Sequence, residues 1–411
     1  MTAPVPDTFA AMWDQLQPLG RLSDGGYGRY AWTRVDAALR EWFVGQAQAR
    51  GLAVDQDRAG NLWAWWGEPD AAARAGRPGV VMGSHLDSVR SGGAFDGPLG
   101  VVSALAVLDR LQASDRATGQ VPARPVGVVV MAEEEGARFG VACAGSRLLT
   151  GALHPDRARG LCDDEGTTLA EAAAAAGTDV RHLGTDAVAL GRVGTFVELH
   201  VEQGRGLVHL DRAVAVGSGI WPHGRWRADV DGRADHAGTT ALPDRDDPVL
   251  ALARVVLEAR RAAEQHGCLA TVGRLEVRPG SVNGIASRAT AWLDARGPDE
   301  ADVRRVVAAV ATAAGSTPVE ESFTPATGFD QALVDRAASL LDGAPVLATG
   351  AGHDAGVLAG AGVPSLMLFV RNPTGVSHSP AEHAEADDCA AGVDALETVV
   401  RDLRGAPGTA P

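Results

Sequence analysis

Lysine is absent from the 411-residue sequence: all 37 residues in the Lys plus Arg count are arginine. A cysteine nucleophile served by a Glu–Lys pair is therefore excluded. Cysteine itself is scarce, with four residues, Cys143, Cys162, Cys268 and Cys389. They form no Cys-x-x-Cys pair, which excludes a structural zinc knuckle and a thioredoxin-type redox motif. Four cysteines in so long a chain make no disulfide framework, so reduced thiols in a cytosol are expected. Positive charge is in deficit: 37 basic residues against 52 acidic ones leave a net charge of −15. Phosphate backbones and anionic lipids need a basic surface, so neither nucleic acid nor a membrane is an expected partner. The longest apolar run, 357–370, contains Pro364 and ends at Arg371. It is too short to cross a bilayer. Asp7 comes early, with no basic segment ahead of an apolar one, so no secretory leader is expected and the cytoplasm is the expected location. Gly-x-x-x-x-Gly-Lys, His-Glu-x-x-His and Gly-x-Ser-x-Gly are all missing, and with them a P-loop, a one-helix zinc protease site and a serine elbow.

What remains is a globular composition, 45% hydrophobic and 22% charged, long enough for two or three domains. Short apolar runs alternate with helical patterns, which predicts an α/β fold. Buried strands are predicted at 79–84, 126–132, 195–201 and 365–370, and a helix at 101–112 with Pro98 near its first turn. From about Ala215 the texture changes. Trp226–Val230 alternates like a half-exposed strand. Residues 247–266 are helical by period, with Val249, Leu250, Ala253, Val256 and Leu257 on one side. Strands at 269–277 and 289–295, a helix at 300–314 and a strand at 318–322 follow. That β-α-β-β-α-β order fits a ferredoxin-like domain inserted in a larger one. The expected division is 1–213 and 325–411 for the larger domain and 214–324 for the insertion, with a helix from near Phe329 leading back.

Polar chemistry gathers just after the buried strands, where ligands bind in open α/β sheets. Gly83-Ser-His-Leu-Asp-Ser88 offers His85 and Asp87 on one side of an extended segment, and Gly92-Gly-Ala-Phe-Asp-Gly97 aims Asp96 from a tight turn. Glu133-Glu134-Glu135 repel one another unless a cation or proton relieves them. Adjacent glutamates also allow a division of labour, one ligating an ion and its neighbour taking a proton from water. Glu198-Leu-His-Val-Glu-Gln-Gly204 buries His200 in an apolar strand, and Val376-Ser-His-Ser-Pro-Ala-Glu-His383 supplies His378 and, second to it, His383. Taken singly, these are equally surface-loop residues, a solvated acidic loop or a core histidine. Together they match a two-metal hydrolytic centre with ions about 3.5–4 Å apart.

The ordered set of these motifs, with His236-Ala-Gly-Thr-Thr240 and Gly352-His-Asp-Ala355, resembles the dinuclear metallo-amidohydrolases related to aminoacylase and carboxypeptidase. Within them it is similar to the branch of N-carbamoyl-L-amino-acid hydrolase, allantoate amidohydrolase and β-ureidopropionase. The resemblance runs from about Gly26 to Asp388. It implies a mixed-sheet di-metal domain with an inserted lid and dimerisation domain. It implies His85, Asp96, Glu135, His200 and His378 as ligands of two divalent ions per subunit, zinc or manganese, with cobalt or nickel as substitutes. Asp96 would bridge the ions, Asp87 would fix the His85 imidazole and Glu134 would be the general base. His236 would reach the other subunit's site in a homodimer and stabilise an oxyanion. Asn283 and Arg296 would hold the substrate carboxylate and Gln203 would touch the substrate. Without the resemblance Arg296 reads as a strand-end surface charge. Ala241-Leu242-Pro243 stands where the family has Pro-Met, a departure that concerns the pocket and not the metals. Glu133, His353, Asp354 and His383 receive no role. The implied reaction is hydrolysis of a ureido C–N bond in a small carboxylate. An aminoacylase or dipeptidase on the same scaffold, and a ureide-binding protein with a dead site, are the alternatives.

Overall fold

A computed structural model describes residues 8–119 and 122–405. Asp7 and the outermost ends of the expected domains lie outside the described residues. The chain forms two compact units. One takes Met1–Ser218, Gly328–Leu347 and Gly352–Pro411 so far as these are described, the other Gly219–Thr327 with Ala348–Ala351.

The first unit is organised by a nine-stranded mixed sheet. At its centre Val126–Met131, Gly79–His85, Val193–Val201 and Ser365–Val370 lie side by side, all parallel. Three of the four are buried at every residue. That is why their sequences are continuous apolar runs without alternation. Leu62–Trp66 and Val214–Ile220 flank them antiparallel. The helix Pro98–Thr118 packs on the strands Gly79–His85 and Val193–Val201, and Ala386–Leu403 packs beside it. The first of these helices is longer than the predicted 101–112. Pro98 occupies its first turn and Gly119 caps it in a left-handed conformation, so the helix extends through the polar Asp115-Arg116 segment. Parallel register aligns the carboxyl ends: His85 pairs with Met131, and His200 with Phe369.

The second unit is α+β, in the order β-α-β-β-α-β. Its antiparallel sheet runs Val319–Thr324, His223–Asp231, Arg288–Arg296, Leu269–Arg278. The helices Pro248–His266 and Glu300–Ala314 cover it, around Trp226, Val255, Leu293, Val303 and Val306. One expectation is corrected here. The periodicity of 247–266 points to Val249, Leu250, Ala253, Val256 and Leu257 as the packing face. The structure buries Ala251, Leu252, Val255, Ala259, Ala262 and Ala263 instead, and leaves Leu250 62% and Leu257 73% exposed. The helix carries two apolar stripes. The alanine-rich one allows closer approach to a sheet and a neighbouring helix, so it wins the core.

Candidate metal centre

His85, His200 and the segment Glu133–Glu135 sit at or just past the carboxyl ends of central strands, and Asp96 and His378 on the loops that follow two of them. His85 is the last residue of its strand and is fully buried. Its Nδ1 lies 3.1 Å from the carbonyl of Asp87, and that of His200 lies 2.9 Å from the carbonyl of Val201. A carbonyl only accepts, so each Nδ1 donates, and in the neutral imidazole each Nε2 then presents a lone pair. Both Nε2 atoms are buried without a hydrogen-bond partner. They converge on one oxygen: Asp96 Oδ1 is 3.4 Å from His85 Nε2 and 3.1 Å from His200 Nε2. The other oxygen, Oδ2, is 3.5 Å from His378 Nε2, which in turn is 3.3 Å from Glu135 Oε2. Two triads result, His85–Asp96–His200 and Asp96–Glu135–His378, each with its donor atoms within 4.8 Å of one another. A carboxylate shared between two sets of nitrogen and oxygen donors is a coordination pattern for divalent ions.

The loop carrying Asp96 can approach only because of its glycines. Gly97 has φ +83°, and a Cβ there would lie 2.5 Å from the His85 ring. The acidic segment is fixed by backbone and side chains together. The amides of Cys143, Ala144 and Gly145 donate to the carbonyls of Glu134, Glu133 and Ala132 in turn. Asn61 Oδ1 accepts from the amide of Ala132 at 2.9 Å. Asp87 has a second task beside its 3.5 Å contact with His85 Nδ1. Its two oxygens accept from the amides of Glu134, at 3.2 Å, and Glu135, at 3.0 Å. Glu134 belongs to neither triad. Its Oε2 lies 3.7 Å from His85 Nε2, and its Oε1 accepts from the Cys143 thiol at 3.2 Å.

The electrostatics follow from burying many charges close together. Burial opposes charge on His85, yet Glu134, Asp87 and Asp96 outweigh it and hold its pKa well above the ordinary value. Burial likewise opposes the His200 cation, and Asp96 overcomes it, raising the pKa to about 9. Burial would raise Asp96, but His200 and His85 hold it well below the carboxylate range. Burial drives Glu134 well up despite His85, and it drives Glu135 to about 8 with help from Asp96. Carboxylates that resist ionising side by side are what a bound cation relieves.

Several residues went unread in the sequence. Glu133 turns the chain at φ +50° and accepts from the amides of Arg138 and Phe139, so it holds the loop behind the site. The His353 ring meets His200 edge-on at 4.5 Å, and burial, with His200, lowers its pKa well below the ordinary value. Asp354 accepts from Ser146 Oγ at 2.5 Å; burial and Glu198 raise it to about 7. His383 lies 3.2 Å from Glu385 and is in neither triad. Gln203, expected to touch substrate, donates to Asp96 Oδ2 at 2.8 Å. Cys143 reads as a small packed residue, and no local pattern betrays its contact with Glu134.

The matches to known proteins fall on this framework. Residues 81–402 match the model of Peptidase family M20/M25/M40. The chain belongs to that family. It is 36% identical over 412 residues to an N-carbamoyl-L-amino acid amidohydrolase of Geobacillus stearothermophilus, covering 95% of this chain and 98% of the relative. It is 30% identical over 406 residues to the allantoate amidohydrolase of Escherichia coli (strain K12), covering 94% and 95%. The crystal structure of an amidase of the hydantoinase/carbamoylase family from Burkholderia vietnamiensis superimposes with a TM-score of 0.82 at 31% identity, covering 96% and 97% of the two chains.

His236, Asn283 and Arg296 belong to the second unit. His236 is exposed, and its strand partner is Gly284, next to Asn283. The Asn283 carbonyl accepts from the amide of Ala237 at 3.0 Å. Asp294 grips the Arg296 guanidinium through Nε at 2.8 Å and Nη2 at 2.7 Å, while Nη1 donates to the Gly350 carbonyl at 2.9 Å.

Proposed function

We propose that this chain hydrolyses the ureido C–N bond of a small carboxylate, an N-carbamoyl-L-amino acid or allantoate, at a pair of divalent cations. The observation that carries the reading is Asp96 shared between two triads, with the Glu134 carboxylate beside them and outside both. The orphaned Nε2 atoms of His85 and His200 fit such ions, and histidine with carboxylate donors suits zinc or manganese, with cobalt or nickel as substitutes. His85, Asp96 and His200 would hold one ion, and Asp96, Glu135 and His378 the other. When bound, the ions polarise the ureido oxygen and make water more acidic.

Glu134 takes the proton of the attacking water and passes it to the leaving nitrogen. Its contacts with His85 and the Cys143 thiol aim the carboxylate, and its burial keeps it basic. The ureido compound and water then yield the amine, carbon dioxide and ammonia. Arg296 receives the substrate carboxylate with Asn283. Asp294 and the Gly350 carbonyl together fix the guanidinium plane and leave one hydrogen on each of Nη1 and Nη2 for a bidentate grip. His236 donates to the developing oxyanion of the other subunit.

The second unit is read as a lid and as the dimer surface, with a second copy of this chain as occupant. What supports the pairing is the exposed stripe of Leu250 and Leu257 on a helix packed against Leu269–Arg278. That strand is the edge of its sheet and exposes Leu269, Leu275 and Val277. Edge-to-edge antiparallel pairing about a two-fold axis covers both features at once. No helix among the described residues is long and apolar enough to cross a membrane. The four free thiols fit a reducing compartment, so we assign the cytoplasm.

Ammonia release from allantoate, N-carbamoyl-L-amino acids and N-acyl amino acids by zinc- or manganese-loaded protein tests the substrate class; turnover confined to N-acyl substrates refutes it. Mixing His236→Ala with Glu134→Gln chains tests the shared site. Subunit exchange restores part of the activity, and no recovery counts against it.

A further inference from the structure

Glu382 is buried and has no place in the mechanism above. Three donors meet its carboxylate. Oε1 accepts from the amide of Phe95 at 2.8 Å and from the amide of Asp96 at 2.9 Å. Oε2 accepts from Ser377 Oγ at 3.1 Å. The fit leaves no room for a side chain opposite: a Cβ on Gly93 would stand 2.2 Å from Oε1. The carboxylate thus ties the turn that presents Asp96 to the turn that presents His378, from 286 residues away along the chain.

Ser377 is the informative partner. Its hydroxyl lies 3.1 Å from Glu382 Oε2 and 3.2 Å from Asp96 Oδ2. A hydroxyl has one hydrogen to give. Given to Asp96, it joins the Gln203 amide, 2.8 Å away, on the oxygen that faces His378. Given to Glu382, it leaves that oxygen more of its lone-pair capacity for a cation. Asp96 Oδ1, toward His85 and His200, receives neither donor.

We infer that Glu382 is a positioning residue that holds the Asp96 peptide in place and draws the Ser377 hydrogen away from Asp96 Oδ2, so that the triad of Asp96, Glu135 and His378 can take its ion. The inference rests on the two-metal reading above. Glu382 meets the backbone of the shared ligand Asp96 and not the ion, and its pull on the Ser377 hydrogen bears on one of the two ions. A purely structural support would weaken both alike.

Glu382→Gln separates the two tasks. The Gln oxygen must face the two amides, since its NH₂ would meet them donor to donor. The backbone clamp therefore survives, while the NH₂ now faces Ser377 and turns the hydroxyl hydrogen onto Asp96. Zn²⁺ is titrated calorimetrically into metal-stripped full-length chain at one fixed pH, in buffers of different ionisation enthalpy so that proton release is separated from ion binding. Wild type takes two ions. The variant keeps the affinity of one and loses on the order of tenfold to a hundredfold in the other, with the same thermal midpoint as wild type when stripped. Removing the hydroxyl as well, in Ser377→Ala/Glu382→Gln, restores the second affinity. Loss of both ions equally, loss of neither, or no recovery in the double variant overturns the inference alone. A wild-type chain that takes up no pair of ions overturns the metal reading, and this inference with it.

Discussion

The triad of His85, Asp96 and His200 is sealed: both imidazoles are wholly buried, each rises from a central strand, and each Nδ1 is tied to a backbone carbonyl. The triad of Asp96, Glu135 and His378 is built from turns. The side chain of His378 is 50% exposed, its backbone is left-handed at φ +55°, and Asp96 Oδ2 is engaged by other donors. Strand ends are rigid because ladders and packing on both faces hold them, whereas a turn is held by a few side-chain bonds. On the two-metal reading proposed above, one seat would be fixed before any ligand arrives and the other adjustable and open to water.

The largest way to break the comparison is to remove what the triads share. Asp96→Ala should bind neither ion and show no measurable turnover, read by metal analysis of dialysed protein and by ammonia release. Next is Glu134→Gln, which should keep both ions and lose turnover by about 10²–10⁴-fold. Near-normal rates there would refute the assignment of the base. A graded chelator should sharpen the difference between the seats. The ion at Glu135 and His378 should leave first, and His378→Ala should retain one ion per chain while His200→Ala disturbs the sealed seat. Equal loss of both ions at every chelator concentration would erase the distinction. The smallest effect is on stability. Asn61→Ala strands the amide of Ala132 and breaks the 2.8 Å bond to Asp57, costing about 1–3 kcal/mol in denaturant unfolding without changing metal stoichiometry.

The central strands were legible because parallel strands buried on both faces must be apolar throughout, and the predicted run 365–370 coincides with the strand found. The predicted helix 300–314 likewise coincides with the helix found, whose start Asp299 caps and whose end Gly315 closes. Which stripe of the preceding helix packs was not legible. Two apolar stripes satisfy the same period, and only the shape of the opposing surface chooses between them. Residue type and position after strands marked the segments that hold His85, Asp96, Glu133–Glu135, His200 and His378, while the choice of Glu135 as the ligand came from the family resemblance. The second task of Asp87, the loop-holding bond of Glu133 and the clamp of Glu382 could not. Each of these joins a carboxylate to backbone amides remote in sequence, and backbone amides leave no mark on residue identity.

Composition and order alone determined the chemistry available here: imidazoles and carboxylates at strand ends, no lysine, and no paired cysteines. Local rules suffice for that, since periodicity, caps and glycine turns act over a few residues. Only the tertiary structure decided which atoms meet: Asp96 Oδ1 faces His85 and His200, Oδ2 faces His378, and Glu134 Oε2 lies 3.7 Å from His85 Nε2 outside both triads. Those facts depend on contacts spanning up to nearly three hundred residues, and such closures are settled by the packing of the whole sheet at once.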